Sequence, residues 1–292
     1  MSFLKLQGIY PALITPFTKE ETVDEKGLAV LTEYLIGQKV NGLYVGGSTG
    51  EALLLTLEER KRVLEIVTEV AADRVEVIAQ IGCQHTAEAI ALGKHAERAG
   101  AKGISSLPPI FYKYSLKELT RYYLEIMDAV SLPFIVYNAP ALTGVFFDKD
   151  NVGDIFAHPN ACGIKFTAYD SYRMQRLMAQ YPKKTVINGH DEIYLSTLAL
   201  GVNCAIGSTF NFMPGKFLEI SRCFAAGDMN GARKAQDEVN QIIDALVEVG
   251  VFRGVKAMLT LMGLPGGSCR SPFAPISQAE LTKLEPLLDL VR

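Results

Sequence analysis

Polar and apolar positions along this chain follow two periods in alternation. Short apolar runs predict strands at GIYPALIT (8–15), GLYVGG (42–47), VEVIAQIG (75–82), GISSL (103–107), PFIVYN (133–138), CGIKF (162–166), TVING (185–189) and CAIGS (204–208). These runs are apolar on both faces, the pattern of a parallel sheet covered by helices. Between them lie amphipathic stretches such as LEERKRVLEIVTEVA (57–71) and HTAEAIALGKHAERAG (85–100). Thr56 precedes the first of these, with Glu59 three residues on, a capping-box signature. A strand-helix alternation repeated eight times predicts an α/β fold, a closed (β/α)8 TIM barrel over residues 1–214. An open nucleotide-binding sheet lacks its mark, since GGSTGE (46–51) matches neither GxGxxG nor the phosphate-loop pattern. Beyond residue 214 the strand signals stop, and helical patterns predict a C-terminal helical segment over 215–292. With no Gly/Ser/Pro-rich linker between the two parts, residues 1–292 read as a single domain with the helices packed on the barrel. The turn-rich stretch GLPGGSCRSPFAP (263–275) reads as a plain connector between two helices.

Composition narrows the class. The 292 residues are 49% hydrophobic and 21% charged, as in ordinary globular proteins, and the net charge of -3 argues against a nucleic-acid binder. No run approaches the roughly 18 apolar residues of a membrane span, and MSFLKLQGIYPAL lacks the layout of a signal peptide, so it reads as the edge of the domain. Five scattered cysteines (Cys83, Cys162, Cys204, Cys223, Cys269) without a CxxC pair suggest free thiols in a reducing, cytoplasmic setting. His85, His95, His158 and His190 show no metal-ligand spacing, so no metal site is expected.

Lys165 interrupts an otherwise apolar strand, in ACGIKFTAY. A lysine there ordinarily snorkels to solvent. Near the C-terminal end of a barrel strand, where active sites of this architecture lie, a desolvated amine gives up its proton more readily and attacks ketones to form a Schiff base. Tyr137 ends the preceding strand, FIVYN. It reads as core packing by itself, and as a proton carrier if it stands beside that amine. GGSTGE is a turn in its simplest reading. Its glycines also allow close backbone approach, and Ser48, Thr49 and nearby N–H groups suit the carboxylate of an α-keto acid. NGHDE (188–192) and IGSTF (206–210) end the next two strands; acids there suit a helix start, and Asp191, Glu192 and Ser208 also suit a polyhydroxylated substrate.

Together GIYPALITPF, GSTGEALLLTLEERK, YNAPALTG, GIKFTA and IGSTFN resemble the N-acetylneuraminate lyase and dihydrodipicolinate synthase family of Schiff-base aldolases, across almost the whole chain. The resemblance implies a (β/α)8 barrel with a helical extension, a homotetramer, and neither metal nor organic cofactor. It implies Lys165 as the Schiff-base lysine, Tyr137 as the proton-transfer residue, and Ser48 with Thr49 as the carboxylate-binding pair. Leu142 stands where the dicarboxylate-specific branch carries arginine, and Thr167, Gly189-His190-Asp191-Glu192 and Gly207-Ser208-Thr209-Phe210-Asn211 match the sialate-lyase branch. That branch implies Gly189, Asp191, Glu192 and Ser208 as contacts for the polyol tail of the sugar acid, with sialic acid, pyruvate and N-acetylmannosamine as the small-molecule partners. Two positions depart from the pattern: His190 replaces an aromatic residue, and Phe111 replaces a tyrosine, with Tyr112 beside it. The rival readings are an aldolase or dehydratase for another 2-keto-3-deoxy sugar acid, and a sugar-acid sensor without turnover.

Overall fold

The computed structural model describes residues 4 and 6–291. The expectation for the chain start falls in part on residues 1–3 and 5, outside the described residues. Eight strands form one sheet: β1 (Gly8–Pro11), β2 (Gly42–Val45), β3 (Glu76–Gln80), β4 (Gly103–Ser106), β5 (Phe134–Asn138), β6 (Ala161–Phe166), β7 (Thr185–Asn188) and β8 (Cys204–Gly207). Every ladder pair is parallel, in the order β1-β8-β7-β6-β5-β4-β3-β2. A parallel bridge between Ala12 and Tyr44 brings β1 back to β2 and closes the barrel.

Helices α1 (Glu25–Gly37), α2 (Leu57–Ala71), α3 (Thr86–Arg98) and α4 (Leu116–Ala129) alternate with the first five strands. Then come the short α5 (Pro140–Thr143) and α6 (Gly153–Ala157), followed by α7 (Ser171–Gln180) and α8 (Tyr194–Ala199). The helical extension comprises α9 (Pro214–Ala225), α10 (Met229–Val249), α11 (Val251–Leu261), α12 (Gln278–Leu284) and α13 (Leu288–Val291). The predicted capping box starts α2: the Glu59 N–H donates to Thr56 Oγ1 at 3.2 Å and the Thr56 N–H donates to Glu59 Oε2 at 2.8 Å. Among the described residues no helix is long and apolar enough to cross a membrane. All five cysteines are free thiols, with Cys83, Cys204 and Cys223 buried and Cys162 and Cys269 half-buried.

Six strands end before their sequence patterns do, β1 by four residues and β2 and β3 by two. Past Pro11 the Ala12 N–H still donates to the Gly207 carbonyl and the Leu13 N–H to the Tyr44 carbonyl, both at 2.8 Å, and the chain leaves the barrel wall only where the Ile14 N–H donates to Asn211 Oδ1 and Thr15 Oγ1 donates to the Gly50 carbonyl. β2 ends at Val45 because Gly46 turns to a φ of 75°, which extended backbone does not allow.

Alternation along the strands divides the core into two layers. Tyr10, Tyr44, Ile78, Ile135, Ile187 and Ile206 fill the barrel interior, while Leu43, Phe134, Val136, Ile164 and Phe166 face the helices. In β6 the pairing with β5 jumps from Phe134–Ala161 to Ile135–Gly163, leaving Cys162 as a bulge. Ala161 faces the helices, so unbroken alternation would send residue 165 outward as well. The extra residue reverses the parity and turns Lys165 inward, opposite Tyr137. Gly163 makes the bulge feasible, since a Cβ there would stand 2.2 Å from the Thr185 carbonyl oxygen.

Candidate active site

Lys165 and Tyr137 are direct partners across the β5–β6 ladder. Both side chains close into the barrel mouth, each residue only 4% exposed. Lys165 Nζ lies 3.9 Å from the centre of the Tyr137 ring and 5.5 Å from that of Tyr44. Tyr44, an aromatic in a strand that reads from sequence as core, meets the Tyr137 ring edge-on at 6.3 Å and donates its hydroxyl to Ser105 Oγ at 3.1 Å. Lys165 thus stands between two phenol rings, with an environment made by side chains rather than bulk water.

The Tyr137 phenol shows what that environment does. Burial by itself raises a phenol, because the phenolate is poorly solvated. The Lys165 charge, together with the polar groups of Lys165, Ser48 and Thr167 nearby, outweighs the burial and holds Tyr137 below its ordinary value. Thr167 Oγ1 is buried and has no well-formed hydrogen bond, although it faces the phenol. A phenol with a stabilised anion, next to an ammonium group, is an arrangement through which a proton moves between nitrogen and oxygen.

Ser48 comes from the turn after β2, whose backbone reverses at Glu51 with a φ of 58°. Thr49 Oγ1 and Ser208 Oγ lie 2.7 Å apart, so two residues expected in different subsites share a hydrogen bond and join the turns after β2 and β8. Gly189 packs against Thr167: a Cβ at this glycine would stand 2.0 Å from Thr167 Oγ1. That contact explains a glycine where β7 ends beside the Lys165 strand.

Asp191 and Glu192, adjacent in sequence, have opposite environments. Asp191 is buried, and its Oδ2 accepts from the Thr209 N–H at 2.8 Å and the Thr209 hydroxyl at 2.7 Å. Burial pushes its carboxyl up to about 6 against those two bonds. Its Oδ1 points at Gly207, where a Cβ would approach to 2.1 Å. Glu192 is only partly buried. Its Oε1 accepts from the Tyr169 hydroxyl at 2.5 Å and lies 3.2 Å from His190 Nδ1. Burial would raise this carboxyl too, but the bonds from His190 and Tyr169 prevail and hold it at about 2.

Other contributors were not apparent from sequence. Glu51, the last residue of GGSTGE, forms a buried ion pair with Lys256 of α11, Nζ to Oε1 at 2.5 Å. Glu51 Oε2 accepts the Arg270 N–H at 2.8 Å, and the Arg270 guanidinium reaches Glu59 at 2.7 Å and the Leu54 carbonyl at 2.7 Å. The stretch 263–275, expected to be a plain connector, therefore fastens the helical extension to the turn beside the site. Gln80, Gly82 and Cys83, at and after the end of β3, are held by the buried guanidinium of Arg60, with bonds of 2.9 Å to the Gln80 carbonyl and 3.1 Å to the Gly82 carbonyl. An apolar cavity of about 390 Å³ adjoins the site, sharing Gly47 and Ser48 and reaching Leu142, Phe252 and Phe273; Lys165 and Tyr137 do not line it. Phe111 and Tyr112 stand exposed on the loop before α4 and stack edge-on at 5.1 Å. No group of three or more His, Cys, Asp or Glu among the described residues is placed to hold a metal ion.

Residues 5–290 match the profile of the Dihydrodipicolinate synthetase family. The chain belongs to that family. Among its relatives, the N-acetylneuraminate lyase of Rhizobium meliloti (strain 1021) is 41% identical over 281 residues, 96% of this chain and 94% of the relative. CdNal from Clostridium difficile, crystallised in complex with mannosamine, superposes with a TM-score of 0.95 at 34% identity, covering 98% of this chain and 99% of that one. The N-acetylneuraminate lyase from Fusobacterium nucleatum, complexed with pyruvate, gives 0.93 at 36% identity over 97% and 96% of the two chains. Within the Dihydrodipicolinate synthetase family this chain is thus similar to the sialic-acid-cleaving lyases in sequence and in structure alike.

Proposed function

We propose that this protein is a class I aldolase that reversibly cleaves N-acetylneuraminate to N-acetylmannosamine and pyruvate. The observation that carries the reading is the pairing of Lys165 with Tyr137, buried together at the C-terminal end of adjacent strands. The relatives named as N-acetylneuraminate lyases supply the substrate.

In the proposed reaction the Lys165 amine attacks the C2 ketone of the open-chain sugar acid. Proton transfers relayed through Tyr137 turn the tetrahedral carbinolamine's hydroxyl into water, which departs and leaves a protonated imine. That cation draws the electron pair of the C3–C4 bond as a base removes the C4 hydroxyl proton. N-acetylmannosamine leaves as the aldehyde and an enamine remains on Lys165. Protonation at C3 and attack by water then release pyruvate and return the free amine. Ser48, Thr49 and the N–H groups of their turn would hold the substrate carboxylate, while Thr167, Gly189, Asp191, Glu192 and Ser208 would receive the remainder of the sugar acid. Thr49 would act jointly with Ser208, given their 2.7 Å hydrogen bond. The domain division at residue 214, homotetrameric assembly and a cytoplasmic location belong to the same reading, supported by family membership rather than by a contact in the single chain.

Pyruvate release from a panel of sugar acids tests the proposal. N-acetylneuraminate should be cleaved in preference to six-carbon 2-keto-3-deoxy acids. Cleavage confined to the shorter acids would assign the chain to a sister activity, and tight binding without turnover would make it a sensor.

A further inference from the structure

Around Glu192 stands a group of side chains for which the reaction above has no use. The His190 backbone is fixed at both ends by buried Asn188, whose Oδ1 accepts the His190 N–H at 3.2 Å and whose Nδ2 donates to the His190 carbonyl at 2.7 Å. The imidazole then lies flat on the Tyr169 ring, with centres 4.2 Å apart and planes 13° from parallel. Both rings direct a polar atom at the same oxygen, Glu192 Oε1. The Glu192 carbonyl accepts from Asn240 Nδ2 of α10 at 3.1 Å, which holds the backbone as well. No other side chain among the described residues donates to Oε2.

This geometry fixes a long, flexible carboxylate side chain by one oxygen and leaves the other open. An ionised acceptor makes stronger hydrogen bonds to hydroxyl donors than a neutral one, and fixing it beforehand removes the entropy cost of ordering it on binding. The position suits the far end of a substrate. Tyr169 follows Lys165 and Thr167 along the segment leaving β6, and His190 follows β7, the strand on which Lys165 pairs with Ile187.

We propose that His190 and Tyr169 are positioning residues that clamp Glu192 and thereby set recognition of the polyol tail. The inference rests on the proposed function and adds to it two residues whose chemistry acts through Glu192. The clamp bears on the sugar and leaves the pyruvate portion untouched.

Condensation of pyruvate with N-acetylmannosamine separates these two effects, because each co-substrate has its own KM. His190→Phe keeps a ring to stack on Tyr169 and loses Nδ1; Tyr169→Phe keeps the stack and loses the hydroxyl. Loss of one hydrogen bond to a charged group predicts a KM for N-acetylmannosamine raised roughly tenfold or more in each variant. The KM for pyruvate, kcat and borohydride trapping of pyruvate should stay within about twofold of wild type. A merely structural role would move both KM values together, and that result, or an unchanged KM for N-acetylmannosamine, overturns the clamp. A wild-type enzyme with no activity on these substrates would overturn the proposed function itself, an outcome distinguished by the wild type failing before any variant is compared.

Discussion

Removing the ammonium of Lys256 tests how the helical extension supports the site. Its Nζ lies 2.5 Å from Glu51 Oε1, donates to the Ser268 carbonyl at 2.9 Å and sits 4.3 Å from the centre of the Phe17 ring. The side chains are 2% and 1% exposed, so water does not replace a lost partner. In Lys256→Met the Glu51 carboxylate loses its cation and keeps the hydrogen bond from the Arg270 N–H. Breaking a buried pair from one side costs about 3–5 kcal/mol, whereas replacing both charges is often close to neutral. Lys256→Met should therefore lower the unfolding free energy by about 3–5 kcal/mol, and Glu51→Gln/Lys256→Met should recover at least half of the loss. Urea unfolding of the wild type, both single variants and the double variant completes the cycle. Because Glu51 closes the turn that carries Ser48 and Thr49, the single variants should also raise the KM for pyruvate. Additivity of the two substitutions within about 0.5 kcal/mol would mean that the charges do not depend on each other and would rule out this coupling.

Other consequences follow from the same geometry. Tyr137→Phe leaves a ring beside Lys165 and deletes the proposed proton carrier, so kcat should fall about 10²- to 10⁴-fold with substrate binding retained, measured by steady-state kinetics and equilibrium titration. Asp191 supplies a pH signature. Its folded carboxyl, held at about 6, lies above the ordinary aspartate value, so the folded state retains a proton that the unfolded chain has lost. That contribution favours folding at acid pH and is lost as pH rises through about 6. Asp191→Asn has no such dependence, and its melting temperature relative to wild type should shift upward between pH 4.5 and 7; a difference that stays flat over this range contradicts the assignment.

The parts legible in the sequence were those carried by local pattern. All eight strands lie where apolar runs predicted them, because a strand covered on both faces leaves few polar positions. Lys165 and Tyr137 stood out for the same reason, as polar groups ending apolar strands. Their alignment depends on the bulge at Cys162, which follows from the pairing of two strands and has no mark of its own in CGIKF. Tyr44 resembled any core aromatic. The Glu51–Lys256 pair and the hold of Arg270 on the GGSTGE turn join residues far apart along the chain, and a charged residue in a helix or loop gives no local sign of a buried partner. Tyr169 is likewise an ordinary residue, and His190 a departure without a visible partner, until the ends of β6 and β7 bring their rings together.

In the proposed mechanism one amine in the barrel mouth bonds covalently to a keto carbon. Incubation with pyruvate and borohydride, followed by peptide mapping, measures this directly. A single reduced adduct is expected on the peptide containing Lys165, absent in Lys165→Ala. An adduct on another lysine, or turnover of N-acetylneuraminate by Lys165→Ala at the wild-type rate, would contradict it.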